Sequence, residues 1–242
     1  MTTIRTAVLL VAGTGSRLLP LTSKIPKALI QVGNESILKR LIRQLTDCGI
    51  ERFVLATGYC EGALRTALAE LDVPIEYCRN SDFVGTQNAV SLGCCARVVR
   101  NEPFIKLDGD LVLDAEILDR LLGDSSPMIV AVDRSRVLDG EAMKAVIGAD
   151  GLVHDFGKSI PIELAQAETL GIEILDAKSG QEVFSRINTL VSGGVTDRYY
   201  EDVYAELIRE SKLAAKAIDV SGLNWTEVDT VEDLERAQLL VD

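Results

Sequence analysis

An unbroken apolar run, TAVLLV at residues 6–11, opens the patterning of the chain and predicts a strand buried on both faces. In SILKRLIRQLTDCG, Ile37, Leu38, Leu41, Ile42 and Leu45 recur at helical spacing, and Gly49 stops the helix. RFVLATG (52–58) is the next strand, and Leu64, Leu68 and Leu71 mark a helix over 61–71. VPIEYC predicts a third strand and a small-residue helix follows over 87–100. PFIKL then carries a fourth strand into Asp108-Gly109-Asp110. This strand–helix alternation predicts an α/β fold, a Rossmann-like, mostly parallel mixed sheet with helices on both faces.

The second half is less regular. PMIVAVD and LGIEIL are strand patterns, and MKAVIGADGLVHDFG predicts a hairpin turning at Ala149-Asp150-Gly151. Helices are expected over 178–190 and 199–210, the latter with Tyr200, Val203, Tyr204, Leu207 and Ile208 on one face. A last strand pair, AAKAIDVS and NWTEVD, precedes a helix from residue 231, for which Thr230 and Asp233 form a capping box. No repeat, low-complexity tract or linker interrupts residues 1–242, so one domain is expected, divided functionally at residue 110.

Charge narrows the partners. A net charge of −12 argues against nucleic acid and against an anionic membrane surface, both of which are bound through excess Lys and Arg. Arg5, Arg17, Lys24 and Lys27 nevertheless gather in or near the first loop, where a small anion fits. Five cysteines without a Cys-x-x-Cys pair suggest inert thiols in a reducing compartment. MTTIRTAVLLVAG makes a poor signal peptide and no run is long enough to span a bilayer, so a cytoplasmic protein is expected. The single histidine, His154, excludes multi-His metal sites, and its strand context assigns it a structural role.

Candidate chemistry starts in LLVAGTGSRLLPLTSKIPKAL, residues 9–29. Gly13-Thr14-Gly15-Ser16 begins like a dinucleotide fingerprint but lacks the third glycine, and no Gly-Lys-Ser/Thr makes it a P-loop. A small-residue loop after a buried strand still offers backbone N–H groups to an anion, with Arg17 as a forked donor and Lys27 as a compact charge. The alternative is a solvated loop whose basic residues balance an acidic protein. Asp108 and Asp110 fall at the carboxyl end of a predicted parallel strand, where open α/β sheets bind ligands and where carboxylates can hold Mg²⁺.

Taken together, the loop, Pro20-Leu21-Thr22 and Pro26-Lys27-Ala28-Leu29 closely resemble the signature of nucleotidylyltransferases that join an NTP to a sugar phosphate or phospho-alcohol. The resemblance implies the nucleotide-diphospho-sugar transferase fold. It implies that residues 1–110 bind the nucleotide, with the base against Val11, Ala12 and Gly13. It has Thr14, Gly15, Ser16 and Arg17 take the triphosphate and Lys27 the reacting phosphate. The family's metal-binding aspartates map to Asp110 and, ahead of the last helix, to Asp229, with Asp108 contributing indirectly. Asp229 could instead support the start of that helix.

Residues 111–242 would then bind the acceptor. GTQNAVSL, MKAVIGADGLVHDFGKSI, AETLGIEIL and RYYEDVYAELI resemble the small cytidylyltransferases acting on phosphocholine, inositol-1-phosphate or 2-aminoethylphosphonate. On that resemblance Thr86, Gln87 and Asn88 lie near the nucleotide and Lys158 reaches the acceptor or the α-phosphate. The loop at 85–88 departs from the phosphocholine pattern and leaves the acceptor open. Tyr199, Tyr200, Glu201, Asp202 and Trp225 suggest aromatic faces and a carboxylate for a quaternary ammonium group, with Tyr200, Glu201 and Trp225 as the acceptor residues. Tyr200 also fits the apolar face of its helix. The expected reaction is Mg²⁺-dependent transfer of CMP from CTP to a phospho-alcohol such as phosphocholine. A sugar-1-phosphate nucleotidylyltransferase and a non-catalytic nucleotide sensor are the alternatives, and the oligomeric state, a homo-oligomer included, is left open.

Overall fold

Strand β1 (Thr6–Val11) alternates its side chains between two cores. Ala7, Leu9 and Val11 enter one, Val8 the other, which is why Ala7–Val11 carries no polar position. The computed structural model describes residues 4–241. After β1 the chain makes a short hairpin, β2 (Gln31–Val32) and β3 (Glu35–Ser36), and enters α1 (Ile37–Asp47), where the Ser36 hydroxyl caps the Lys39 amide. Then come β4 (Arg52–Thr57), α2 (Glu61–Leu68), β5 (Ile75–Arg79), α3 (Asn88–Cys94), α4 (Ala96–Val99) and β6 (Phe104–Asp108). The helix expected over 87–100 is therefore broken at Cys95.

Next are β7 (Leu111–Leu113) and α5 (Ala115–Leu122), which the patterning above did not identify although Ile117, Leu118 and Leu121 lie buried on one face. β8 (Met128–Asp133) leads to the expected hairpin of β9 (Lys144–Ile147) and β10 (Leu152–Gly157). β11 (Ala167–Leu175), α6 (Ala177–Ser192), α7 (Tyr200–Arg209), β12 (Ala215–Asp219), β13 (Trp225–Glu227) and α8 (Val231–Leu239) complete the fold, with the Thr230–Asp233 capping box in place.

Nine strands form one sheet in the order β5-β4-β1-β6-β11-β8-β12-β10-β9. β10 and β11 run against the other seven, so the sheet is mixed but mostly of one direction. The chain moves outward from β1 through β4 to β5, then returns to place β6 on the other side of β1. That reversal opens a crevice at the carboxyl ends of β1 and β6, the usual ligand position in such sheets.

The final strands correct one expectation. β12 and β13 do not pair with each other; β12 lies between β8 and β10, and β13 pairs antiparallel with β7. The second pairing sets Glu227 opposite Leu111, and the Val228 amide donates to the Asp110 carbonyl at 3.0 Å. It thereby brings the C-terminal TEVD segment to the crevice. Among the described residues no helix is long and apolar enough to cross a membrane.

Candidate active site

The loop after β1 is shaped by contacts that only small residues allow. Gly15 has φ 61°, and a Cβ there would stand 2.9 Å from that of Lys27. The Thr22 hydroxyl donates to the Gly15 carbonyl at 2.8 Å and closes the loop. Pro26 opens a single 3₁₀ turn, Lys27–Leu29, whose Ala28 and Leu29 are buried and so anchor the Lys27 backbone. Among the described residues no protein group accepts from the amides of Gly13, Thr14, Gly15, Ser16 or Arg17. Five free donors beside two cations are suited to an anion.

Gly109 brings the acidic turn to this loop. Its amide donates to the Leu10 carbonyl at 3.0 Å, and a Cβ would lie 2.7 Å from that oxygen. Lys27 Nζ then sits between two carboxylates, 2.5 Å from Asp110 Oδ2 and 2.5 Å from Asp229 Oδ1. Arg17 holds the other Asp229 oxygen at 2.6 Å. Burial alone would lower the Lys27 pKa, but the two aspartates reverse this and hold it above the ordinary lysine value. Burial likewise pushes Asp229 up, and Lys27 and Arg17 outweigh it and keep the carboxyl below its usual range.

The donor set fits a hard divalent cation. Asp110 Oδ1 is buried without a hydrogen-bond partner, and Asp110 and Asp229, which share Lys27, are the two carboxylates that would hold such an ion. Among the described residues no three His, Cys, Asp or Glu side chains gather as a metal cage. Mg²⁺ needs fewer, one or two carboxylates completed by water and phosphate. Glu227, unnoticed in the sequence, stands beside this pair. Its carboxyl is raised well above the usual range by burial and by Asp110, Asp108 and Asp229. The signal was its place two residues before Asp229 in an extended TEVD segment, which puts both on one side of the chain.

Three cavities meet here. One of about 200 Å³ lies between the loop, Lys27, Asp110 and Asp229. A second, of about 620 Å³, is lined by Ala12, Gly13, Thr14, Ser16, Thr86, Gln87, Asn88, Asp108 and Asp110, so the predicted nucleotide residues converge, joined by Phe83 and Val84. Val11 and Gly15 line the smaller cavity. A third, of about 890 Å³, has Arg17 and Asp229 at its inner end, with Arg136, Lys158 and Trp225 around it. Arg136, Asp139, Glu141 and Glu168 on its wall were not foreseen, because nothing local in the sequence sets them apart.

The aromatic acceptor site does not stand as expected. Tyr200 and Glu201 are 0% and 5% exposed and belong to the core under α7. Trp225, 5% exposed, lines the third cavity, but the Arg136 guanidinium already lies over its ring at 4.3 Å from the centroid. Lys158 Nζ stands 5.7 Å from the Tyr199 centroid, and Lys106 Nζ 3.4 Å from that of Tyr200. The rings are thus paired with cations of the protein itself. Unmatched carboxylates remain on the cavity wall, with Glu168 pushed up by burial. His154 is exposed on the hairpin beside Asp150, away from these cavities, in keeping with a structural role.

Glu201 and Glu173 are buried with Lys106, Asp108 and Tyr204, and burial raises their carboxyls to about 8 and about 7. The folded chain therefore holds protons that the unfolded chain, with carboxyls near 4.5, has released, so stability falls as pH rises across that interval. One such proton is worth up to about 1.4 kcal/mol per pH unit. A Glu201→Gln protein is expected to melt with a shallower decline than wild type between pH 5 and pH 8, a window set by those values. Thermal unfolding across that range checks it, and parallel curves would remove Glu201 as the proton-binding group.

Known proteins resemble the chain along nearly all of its length. The chain is 28% identical over 236 residues to the bifunctional IPC transferase and DIPP synthase of Aquifex aeolicus, covering 97% of this chain and 51% of that protein. It is 25% identical over 252 residues to the CTP:phosphoglutamine cytidylyltransferase of Campylobacter jejuni, covering 95% and 97%. A third relative, the CMP-5′-(3-aminopropyl)phosphonate synthase of Streptomyces rubellomurinus, is 29% identical over 96% of this chain and 38% of its own length. The chain thus spans about half of the first relative, nearly all of the second and little over a third of the third.

Among solved structures, the inositol-1-phosphate CTP transferase from T. maritima superposes with a TM-score of 0.81 at 22% identity, over 99% of this chain and 96% of the other. The CTP:phosphocholine cytidylyltransferase from Streptococcus pneumoniae gives 0.77 at 22%, over 99% and 100%. Both share the fold. The model of the MobA-like NTP transferase domain matches residues 7–168, the stretch that carries the anion loop, Lys27, Asp110 and Lys158, and the chain belongs to that family.

Proposed function

We propose that the protein transfers CMP from CTP to a small phosphorylated or phosphonylated acceptor bearing a positive charge, phosphocholine being the type, with release of pyrophosphate. The observation that carries this reading is Lys27 held between Asp110, which lines the first and second cavities, and Asp229, which lines the first and third. The acceptor charge is inferred from the third cavity, where Asp139, Glu141, Glu168, Glu232 and Asp233 outnumber Arg136, Lys158 and Arg236 beyond the Arg17–Asp229 pair.

In the reaction an acceptor oxygen bonds to the α-phosphorus of CTP as the bond from that phosphorus to pyrophosphate breaks. The free loop amides and Arg17 hold the triphosphate, and Lys27 offers its donors where charge builds on the α-phosphate. Lys158, across the third cavity, faces the incoming acceptor. Mg²⁺ held by Asp110 and Asp229 would supply further positive charge at the phosphates. Positioning and charge neutralisation then account for the rate, and no covalent nucleophile is required.

A pyrophosphate-release assay tests the reading with CTP, ATP, GTP and UTP against phosphocholine, 2-aminoethylphosphonate, inositol-1-phosphate and glucose-1-phosphate. CTP with the two cationic acceptors is expected to turn over fastest. Release only with glucose-1-phosphate would move the protein to the sugar-1-phosphate reaction, and CTP binding without release in any pair would make it a nucleotide sensor.

A further inference from the structure

Two cavity-lining residues on the nucleotide side, Asn88 and Asp108, lie 20 positions apart in sequence, and both are held by the same residue of a distant helix. At the first residue of α7, the Tyr200 amide donates to Asn88 Oδ1 at 2.9 Å, and its hydroxyl donates to Asp108 Oδ2 at 2.7 Å. The first bond fixes the Asn88 amide with its oxygen turned to α7, which leaves its NH₂ donors for the cavity. The second orients Asp108 at the carboxyl end of β6.

The other Asp108 oxygen is set by Lys106. Its ammonium is wholly buried, 3.2 Å from Asp108 Oδ1, 2.9 Å from Glu173 Oε2 and 3.2 Å from the Gly171 carbonyl, and it rests on the Tyr200 ring. A lysine on a central strand of a buried sheet is costly unless something requires it. Gly171, at φ 69°, has no room for a Cβ because Asp108 Oδ2 stands there. The carboxylate is thus confined by three elements, β6, β11 and α7, with its remaining accepting capacity at the cavity.

We infer that Tyr200 and Lys106 are positioning residues of the nucleotide subsite, which pin Asp108 and Asn88 in the orientation that receives the donor and acceptor groups of the bound nucleoside. This rests on the reading of the second cavity as the nucleotide site. It replaces the acceptor role expected for Tyr200 with one on the opposite side of the reaction, through a residue it touches rather than through substrate.

Tyr204 supplies the control. It is equally buried, its ring centroid is 5.4 Å from that of Tyr200, and its hydroxyl has no partner. Full-length Tyr200→Phe, Tyr204→Phe and Lys106→Met proteins are compared by steady-state kinetics, by calorimetric titration of CTP and by thermal unfolding. Tyr200→Phe is expected to raise both KM and Kd for CTP at least about tenfold, the loss of a hydrogen bond to a charged group. Its kcat at saturating CTP and its KM for the acceptor should stay within about twofold, and Tyr204→Phe should leave the CTP constants unchanged. Lys106→Met should reproduce the CTP defect if it folds, and Tyr200→Phe decides the matter if it does not. A lower melting temperature in Tyr200→Phe with unchanged CTP constants, or an equal CTP defect in Tyr204→Phe, overturns the inference and leaves the nucleotide reading intact. Failure of the wild-type protein to bind CTP or any other NTP overturns both.

Discussion

A Lys27→Ala protein is expected to lose about 10²–10³ in kcat/KM for CMP transfer, the usual effect of deleting one preorganised charge at a developing phosphate charge. It should also melt lower than wild type. Lys27 is the cation that Asp110 and Asp229 share, and its raised pKa means that the folded site binds its proton more tightly than the unfolded chain. That stabilisation is fully present below the ordinary lysine value of 10.5 and is lost as pH rises through the higher folded value, so at neutral pH the variant forgoes all of it. Arg17 still pairs with Asp229, but Asp110 is left without a counter-charge. Mg²⁺ should therefore restore more of the melting temperature in the variant than it adds to wild type, because the same two carboxylates would bind it without competition from the ammonium. Steady-state rates and thermal unfolding with and without Mg²⁺ check both halves. Unchanged turnover would remove Lys27 from the reaction, and an equal Mg²⁺ response would remove the carboxylate pair as a metal site.

The sequence makes one part of this arrangement readable and hides another. The loop from Gly13 to Arg17 and Lys27 could be placed because their spacing follows a single strand–loop–turn, where local geometry and order along the chain coincide. Asp110 follows from its position at a strand end. Asp229 could be connected to it only by resemblance, since the β7–β13 register that joins them spans more than a hundred residues and leaves no periodic mark. Helical spacing put Tyr200 on the apolar face of α7, and that part holds. It could not show that the hydroxyl reaches Asp108, nor that Lys106 lies inside an apolar strand as the partner of a buried carboxylate. Aromatic composition suggests a cation site, whereas the fold gives Trp225 to Arg136. Composition counts side chains and cannot say which contacts are already made.

Asp110→Asn should lower kcat by about 10²–10³, as for Lys27→Ala, yet act in the opposite direction on stability. Asp110 Oδ1 is buried without a partner, and the carboxylate stands near Glu227 and Asp229, with Lys27 as the cation between it and Asp229. Of its two oxygens only Oδ2 is paired, and a half-satisfied polar group that also crowds Asp229 costs stability and persists where it serves a function. Asparagine keeps the shape, removes one negative charge and leaves Lys27 paired with Asp229. The variant should then melt at or above the wild-type temperature in the absence of Mg²⁺. Its Mg²⁺ activation midpoint should move upward by about tenfold, the loss of one charged ligand costing roughly 1.4 kcal/mol. Lys27→Ala thus lowers activity and stability together, whereas Asp110→Asn separates them, and that contrast distinguishes a metal-binding carboxylate from one that serves the fold. Asp110→Asn with wild-type turnover, or with a lower melting temperature and an unaltered Mg²⁺ midpoint, would make Asp110 structural and leave Lys27 as a counter-ion rather than a participant in the transfer.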